Sequence, residues 1–142
     1  MTPPPIKYTV HHISLNVKNM EQSMAFYQRL GFREYYTYSD DNVLIEHLKN
    51  REIILELFCY KTFSQYVYEP SRLSKHSDII GYEHFSLAVE SIREAYDSLQ
   101  DCVERGSTIT MGRTGIKYFF IVDPNGSRIE IVEDKRGEAN EQ

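Results

Sequence analysis

The chain has 142 residues, a net charge of −5 and a pI near 5.5. That length suits one domain or two small halves, and an acidic balance with no Lys/Arg-rich run argues against nucleic acid or an anionic membrane as the main partner. No apolar run approaches the roughly 20 residues of a membrane span, and the opening "MTPPPIKY" has no apolar signal core, so the expected location is the cytoplasm.

In chain order, the first predicted strand is "VHHISLNV", residues 10 to 17. A helix follows, opened by Asn19 with Gln22 three positions on and stopped at Gly31, with Met20, Met24, Tyr27 and Leu30 as its apolar stripe. Further strands end with "REIILELF", 51 to 58. Residues 61 to 82 show no clear periodicity and read as a linker. The second half then opens with "EHFSLAV", 83 to 89. Its helix has a Ser91/Glu94 capping box, a stripe of Ile92, Ala95, Tyr96, Leu99 and Val103, and a stop at Gly106. "KYFFIVDPNGSRIEIVE", 117 to 133, is a hairpin turning at Asp123-Pro-Asn-Gly126. The first few residues and the tail "DKRGEANEQ" read as loosely held.

The pattern H-x-S-L-x-V occurs twice, and His12 and His84 are 72 positions apart (84 − 12). Each copy is followed by a helix and then antiparallel strands. Strand alternation puts His12, Ser14 and Asn16 on one face and Ile13, Leu15 and Val17 on the other. His84, Ser86 and Ala88 oppose Phe85, Leu87 and Val89 in the same way. Glu56 lies inside "IILELF" and Glu130 inside "RIEIV", 74 positions apart (130 − 56). Each half thus offers one imidazole and one carboxylate at equivalent positions. Together they make a four-ligand set for one divalent metal, with positions left for water or substrate. A metal also removes the cost of a carboxylate among Ile and Leu.

Other candidates read as structural. His11 points away from His12, and His47 and His76 stand in polar surroundings as surface residues. Cys59 and Cys102 read as buried free thiols, with packing as the role of Cys59. Tyr60, Phe63, Tyr66 and Tyr68 either line a pocket or cover the core.

From about Tyr8 to Glu133, the segments "HHISLNV", "SMAFYQRLGF", "ILELF", "EHFSLAV" and "DPNGSRIEIVE" resemble the vicinal oxygen chelate superfamily. That superfamily includes glyoxalase I, methylmalonyl-CoA epimerase, extradiol dioxygenases and the fosfomycin and bleomycin resistance proteins. The resemblance implies an α+β fold in which two βαβββ modules form a U-shaped mixed sheet around a metal. It further implies a single domain over residues 1–142, with module 1 at about 8–60, the linker at 61–82 and module 2 at about 83–133, usually in a homodimer.

The set His12, Glu56, His84 and Glu130 resembles that of glyoxalase I. Extradiol dioxygenases match only at His12, His84 and Glu130, and the epimerase typically has Gln at the position of Glu56. The short length is similar to the bacterial type, which implies one nickel or cobalt ion per site, with zinc or manganese as alternatives. Asn16 stands where glyoxalase I usually has an Arg for glutathione, and Tyr60 near a usual Asn contact, so the thiol is expected to differ.

The activity implied is a metal-dependent lyase or isomerase of glyoxalase type, related to lactoylglutathione lyase and methylglyoxal detoxification. Its small-molecule substrate would be a 2-oxoaldehyde–thiol adduct or similar vicinal-oxygen compound, converted through an enediolate stabilised by the metal. Glu130 is the preferred base, with Glu56 as opposing ligand or alternative base. Asn16, Tyr60, Arg113, Lys117 and the linker tyrosines are candidate substrate contacts, although a solvated strand end accounts well for Lys117. The alternatives are a non-enzymatic drug-binding resistance protein and a thiol transferase of the fosfomycin-resistance type. The former generally lack the metal set, and the latter use two His and one Glu.

Overall fold

The computed structural model describes residues 2–62 and 81–139. The chain forms two compact units, Met1–Gln65 and Tyr66–Gln142. In the first, β1 (His12–Asn16) and α1 (Met20–Arg29) are followed by β2 (Arg33–Ser39), β3 (Val43–Asn50) and β4 (Ile53–Tyr60). The sheet order is β1-β4-β3-β2, with β1 parallel to β4 and the other pairs antiparallel. In the second, β5 (Phe85–Ala88) and α2 (Ile92–Ser98) precede β6 (Thr110–Met111), β7 (Lys117–Val122) and β8 (Arg128–Glu133). Its order is β5-β8-β7-β6, again with the first strand parallel to the last. Both units are therefore βαβββ modules, each with a four-stranded mixed sheet.

Each sheet has one face against its helix and one face open. In module 1, Leu55 and Leu57 on β4 and Leu48 on β3 are fully buried with Tyr27 and Phe32. In module 2, Phe119 and Ile121 on β7 and Ile129 and Ile131 on β8 are buried with Ile92 and Leu99 of the helical segment. Tyr96 meets Phe119 edge to face at 5.1 Å between ring centroids. On β4 and β8 the burial alternates, so Glu56 and Glu130, which fall between core residues, are turned to the open face.

The helix caps are those read from the sequence. Asn19 Oδ1 accepts from Gln22 N–H at 3.0 Å, and Ser91 Oγ accepts from Glu94 N–H at 3.2 Å. The stripe of α1 is shifted, since Met20, Ser23, Phe26 and Tyr27 are its buried residues while Met24 and Leu30 are half-buried. Helix α2 stops at Ser98, well short of Gly106. The reason is tertiary: Val103 bridges to Ile121, and Glu104 N–H donates to the Phe120 carbonyl at 2.9 Å. The backbone there serves β7 instead of continuing a helix. Part of the tail is also ordered, as α3 (Arg136–Ala139). Asp134 accepts from the backbone N–H and guanidinium of Arg136, and these bonds pull its carboxyl down to about 2.

Gly31 ends α1 in the left-handed region, at φ +95°. A Cβ there would lie 2.9 Å from Asn50 Nδ2, the atom that donates to the Leu30 carbonyl at 3.0 Å. Gly31→Ala is therefore expected to strain the backbone and displace the Asn50 cap. The expected loss is about 1–3 kcal/mol, read as a lower urea midpoint at unchanged m-value.

Candidate functional site

Module 1 positions its half of the site through strand pairing. The parallel register sets Ser14 opposite Glu56, and the antiparallel register sets His47 opposite Glu56 from the other side. Leu55 and Leu57 anchor β4 in the core, so Glu56 can only face outward with His12, Ser14 and Asn16. His12 Nε2 lies 3.4 Å from Glu56 Oε1, and the Ser14 hydroxyl donates to the same oxygen at 3.1 Å. His47 Nε2 bonds to Glu56 Oε2 at 2.8 Å. Burial pushes the Glu56 carboxyl up, but the bonds from His47 and Ser14 and the two imidazoles outweigh it. The carboxyl is held below the usual carboxylate range.

Module 2 repeats the arrangement. Ser86 pairs with Glu130 and donates to its Oε1 at 2.6 Å, and His84 Nε2 lies 3.5 Å from that oxygen. His84 Nδ1 is bonded to Glu83 Oε2 at 2.7 Å, which aims Nε2 at Glu130. Glu83 is in turn held by Arg128, whose Nε donates to Glu104 Oε2 at 2.5 Å and whose guanidinium stacks 3.8 Å over Phe120. Burial raises the Glu83 carboxyl, and His84 with Arg128 lowers it further than burial lifts it.

The expected pairs His12–Glu56 and His84–Glu130 are thus each brought together within their modules. Two donors bound to one ion at roughly 2.0–2.2 Å stand about 3–3.5 Å apart. The separations of 3.4 and 3.5 Å fit two positions of one coordination sphere. The chemistry also fits, since each pair joins an imidazole nitrogen to a carboxylate oxygen, both common ligands of divalent ions. Among the described residues no group of three or more His, Cys, Asp or Glu side chains is itself arranged to hold an ion; each module supplies a pair.

The substrate candidates divide. Asn16 and Tyr60 share the open face with Glu56, where Tyr60 stacks on Phe58 at 5.9 Å between centroids. Arg113 is exposed in the turn between β6 and β7. Lys117 belongs to the same strand face as Phe119 and Ile121, opposite to Glu130, and lies 4.0 Å from Glu133. It is a solvated strand end. Phe63, Tyr66, Tyr68 and His76 lie outside the described residues.

His47 is a correction. It is half-buried and bonded to Glu56, where its polar neighbours in sequence suggested a surface residue. Glu83, Glu104 and Arg128 were also missed. The parity of Arg128 with Glu130 on β8 was the available signal. His11 is exposed, but its ring sits edge to face with His12 at 5.2 Å. Neither cysteine is in a disulfide and both are half-buried; Cys59 Sγ lies 3.6 Å from the Lys18 carbonyl.

Residues 9–131 match the model of the Glyoxalase/Bleomycin resistance protein/Dioxygenase superfamily. The chain belongs to that superfamily. Similar solved structures include SMU.1112c, at 28% identity and a TM-score of 0.67, covering 89% of this chain and 98% of that one. A glyoxalase family protein from Enterococcus faecalis matches at 25% identity and a TM-score of 0.67, covering 88% and 97%. The trypanothione-dependent glyoxalase I of Leishmania major shares the superfamily fold at 20% identity and a TM-score of 0.68, over 95% and 93%. No curated protein matches the chain. Among the described residues no helix is long and apolar enough to cross a membrane.

Module 2 holds His84 through Glu83 and Arg128, which makes a stability test possible. Arg128→Met should cost about 3 kcal/mol, the low end for breaking a buried ion pair, because Glu83 is nearly half exposed. Because the folded-state Glu83 carboxyl is held low, its contribution is present above about pH 4.3 and lost as pH falls through the lower folded value. Wild type should therefore lose more stability than the variant on acidification in that window, measured by urea denaturation.

Proposed function

We propose that the protein is a metal-dependent, glyoxalase-type lyase or isomerase acting on a 2-oxoaldehyde–thiol adduct or a related vicinal-oxygen substrate. One observation carries the reading: a His–Glu pair at 3.4 Å in one module and at 3.5 Å in the other, at equivalent positions of the sequence repeat. His12, Glu56, His84 and Glu130 are the residues that would hold a divalent ion, nickel or cobalt by preference. The ion would supply Lewis-acid stabilisation of negative charge on the adjacent substrate oxygens.

The remaining chemistry belongs to the side chains. Proton transfer between neighbouring carbons needs a carboxylate that can turn toward carbon, accept the proton and return it. Glu130 suits this role, because its ladder neighbour Phe120 offers no hydrogen bond to restrain it. Ile129 and Ile131, buried on the far face, keep the strand in place while the side chain moves. Ser86 orients the carboxylate through Oε1. Asn16 and Tyr60, on the open face of module 1, would select the thiol portion. A sequestering protein without catalysis has no need of two matched pairs, which favours the enzyme.

His12→Ala is expected to weaken divalent-metal binding by calorimetry, and unchanged affinity would count against the ligand set. Metal-saturated Glu130→Gln should lose turnover by roughly 10²–10⁴-fold, the worth of a positioned general base. The assay compares methylglyoxal adducts of glutathione, bacillithiol and coenzyme A. Near-normal turnover in the variant would transfer the base role to Glu56.

We further propose a homodimer. Tyr36, Tyr38, Tyr60 and Met111 are large apolar residues left exposed on the chain. Sedimentation should give a dimer at micromolar concentration, and a monomer would overturn the assembly.

A further inference from the structure

Around their His–Glu pairs the two modules share the residue on the parallel side and differ in the one on the antiparallel side. Ser14 and Ser86 stand beside Glu56 and Glu130 on the parallel side, and both hydroxyls donate to the glutamate Oε1. On the antiparallel side, Glu56 faces His47 while Glu130 faces Phe120. An imidazole can donate a hydrogen bond, whereas a phenyl ring has nothing to donate.

The antiparallel difference has a directional consequence. With Ser14 on Oε1 and His47 on Oε2 at 2.8 Å, both oxygens of Glu56 are engaged, from strands on either side of β4. A carboxylate held at both oxygens cannot rotate without breaking a bond. The His47 ring is itself oriented, lying nearly parallel to His12 at 6.2 Å and tilted against Tyr36 at 6.3 Å between centroids. Its neighbour Glu46 is buried on the opposite face, where it accepts from Thr37 Oγ1 at 2.8 Å. That arrangement keeps β3 from slipping. In module 2 the space across from Glu130 is filled by Phe120, packed edge to face on His84 at 5.0 Å.

We propose that His47 is a positioning residue for the metal centre. Its Nε2–H holds Glu56 Oε2 so that Oε1 is presented beside His12, which makes Glu56 the fixed ligand of the pair of glutamates. Phe120, at the equivalent place, offers no such bond, so Glu130 is held by Ser86 at Oε1 without a second restraint from the antiparallel strand. This rests on the metal reading above and adds to it a source of asymmetry: two glutamates related by the repeat face His47 in one module and Phe120 in the other.

The test is calorimetric titration of the chelator-stripped full chain with Ni²⁺ and with Zn²⁺, alongside circular dichroism and thermal unfolding. His47→Phe installs the residue found in module 2, and His47→Gln restores an N–H donor without the imidazole. The expected result is a 10–100-fold loss of metal affinity in His47→Phe, the usual effect of removing a hydrogen bond that orients a ligand. His47→Gln should stay within a few-fold of wild type, with the fold unchanged in both. If His47→Phe fails to fold, His47→Ala carries the same expectation. Wild-type affinity in a folded His47→Phe overturns the inference while leaving the metal reading intact. Equal loss in His47→Phe and His47→Gln also overturns it, because His47 would then be a ligand itself. A wild-type chain that binds neither metal overturns the metal reading, and the role of His47 with it.

Discussion

Burial of alternate residues on β4 and β8 is the constraint on which everything else rests. Leu55 and Leu57 flank Glu56, and Ile129 and Ile131 flank Glu130, and all four apolar side chains are essentially removed from solvent. Fully burying a Leu or Ile is worth about 1.5–3 kcal/mol, so each strand is held in one register by two such anchors. A one-residue slip would put the glutamate into the core and an aliphatic chain into water. The carboxylates face the open side because the cost of any other arrangement is large.

Given that anchoring, the ladder partners determine what each carboxylate can do. The parallel strand supplies a serine and a histidine in both modules, which makes the half-sites alike in their donor atoms. The surroundings then differ. Module 1 restrains its glutamate through His47. Module 2 restrains its histidine instead, through Glu83 and Arg128, with Phe120 packed between Arg128 and His84. The repeat provides chemical symmetry in the first layer, and the divergence lies one layer behind it.

The fold was largely legible before any coordinates. The repeated H-x-S-L-x-V phrase, the Asn19 and Ser91 caps and the Asp123–Gly126 turn are local signals, and each is realised by the hydrogen bonds it requires. Pairing of His12 with Glu56 and of His84 with Glu130 was also legible, because alternation and a common offset depend on sequence alone. The end of α2 was not. Gly106 is a reasonable stop signal locally, but the chain leaves the helix at Ser98 to bond with β7, and a long-range ladder overrides a local preference.

His47 shows the same limit at the site. In "VLIEHLKN" the glutamate and the histidine are adjacent, and polarity does not say which of them faces the core. The sequence by itself determined the module repeat, the caps and the His–Glu pairs, because these follow from short-range periodicity and from residue chemistry. Only the tertiary structure decided that Glu46 turns inward to Thr37 and His47 outward to Glu56, and that Arg128 supports His84 through Glu83. Those choices come from strand register and from contacts between residues far apart in the chain, where the energy of burying whole faces outweighs the preference of any one side chain.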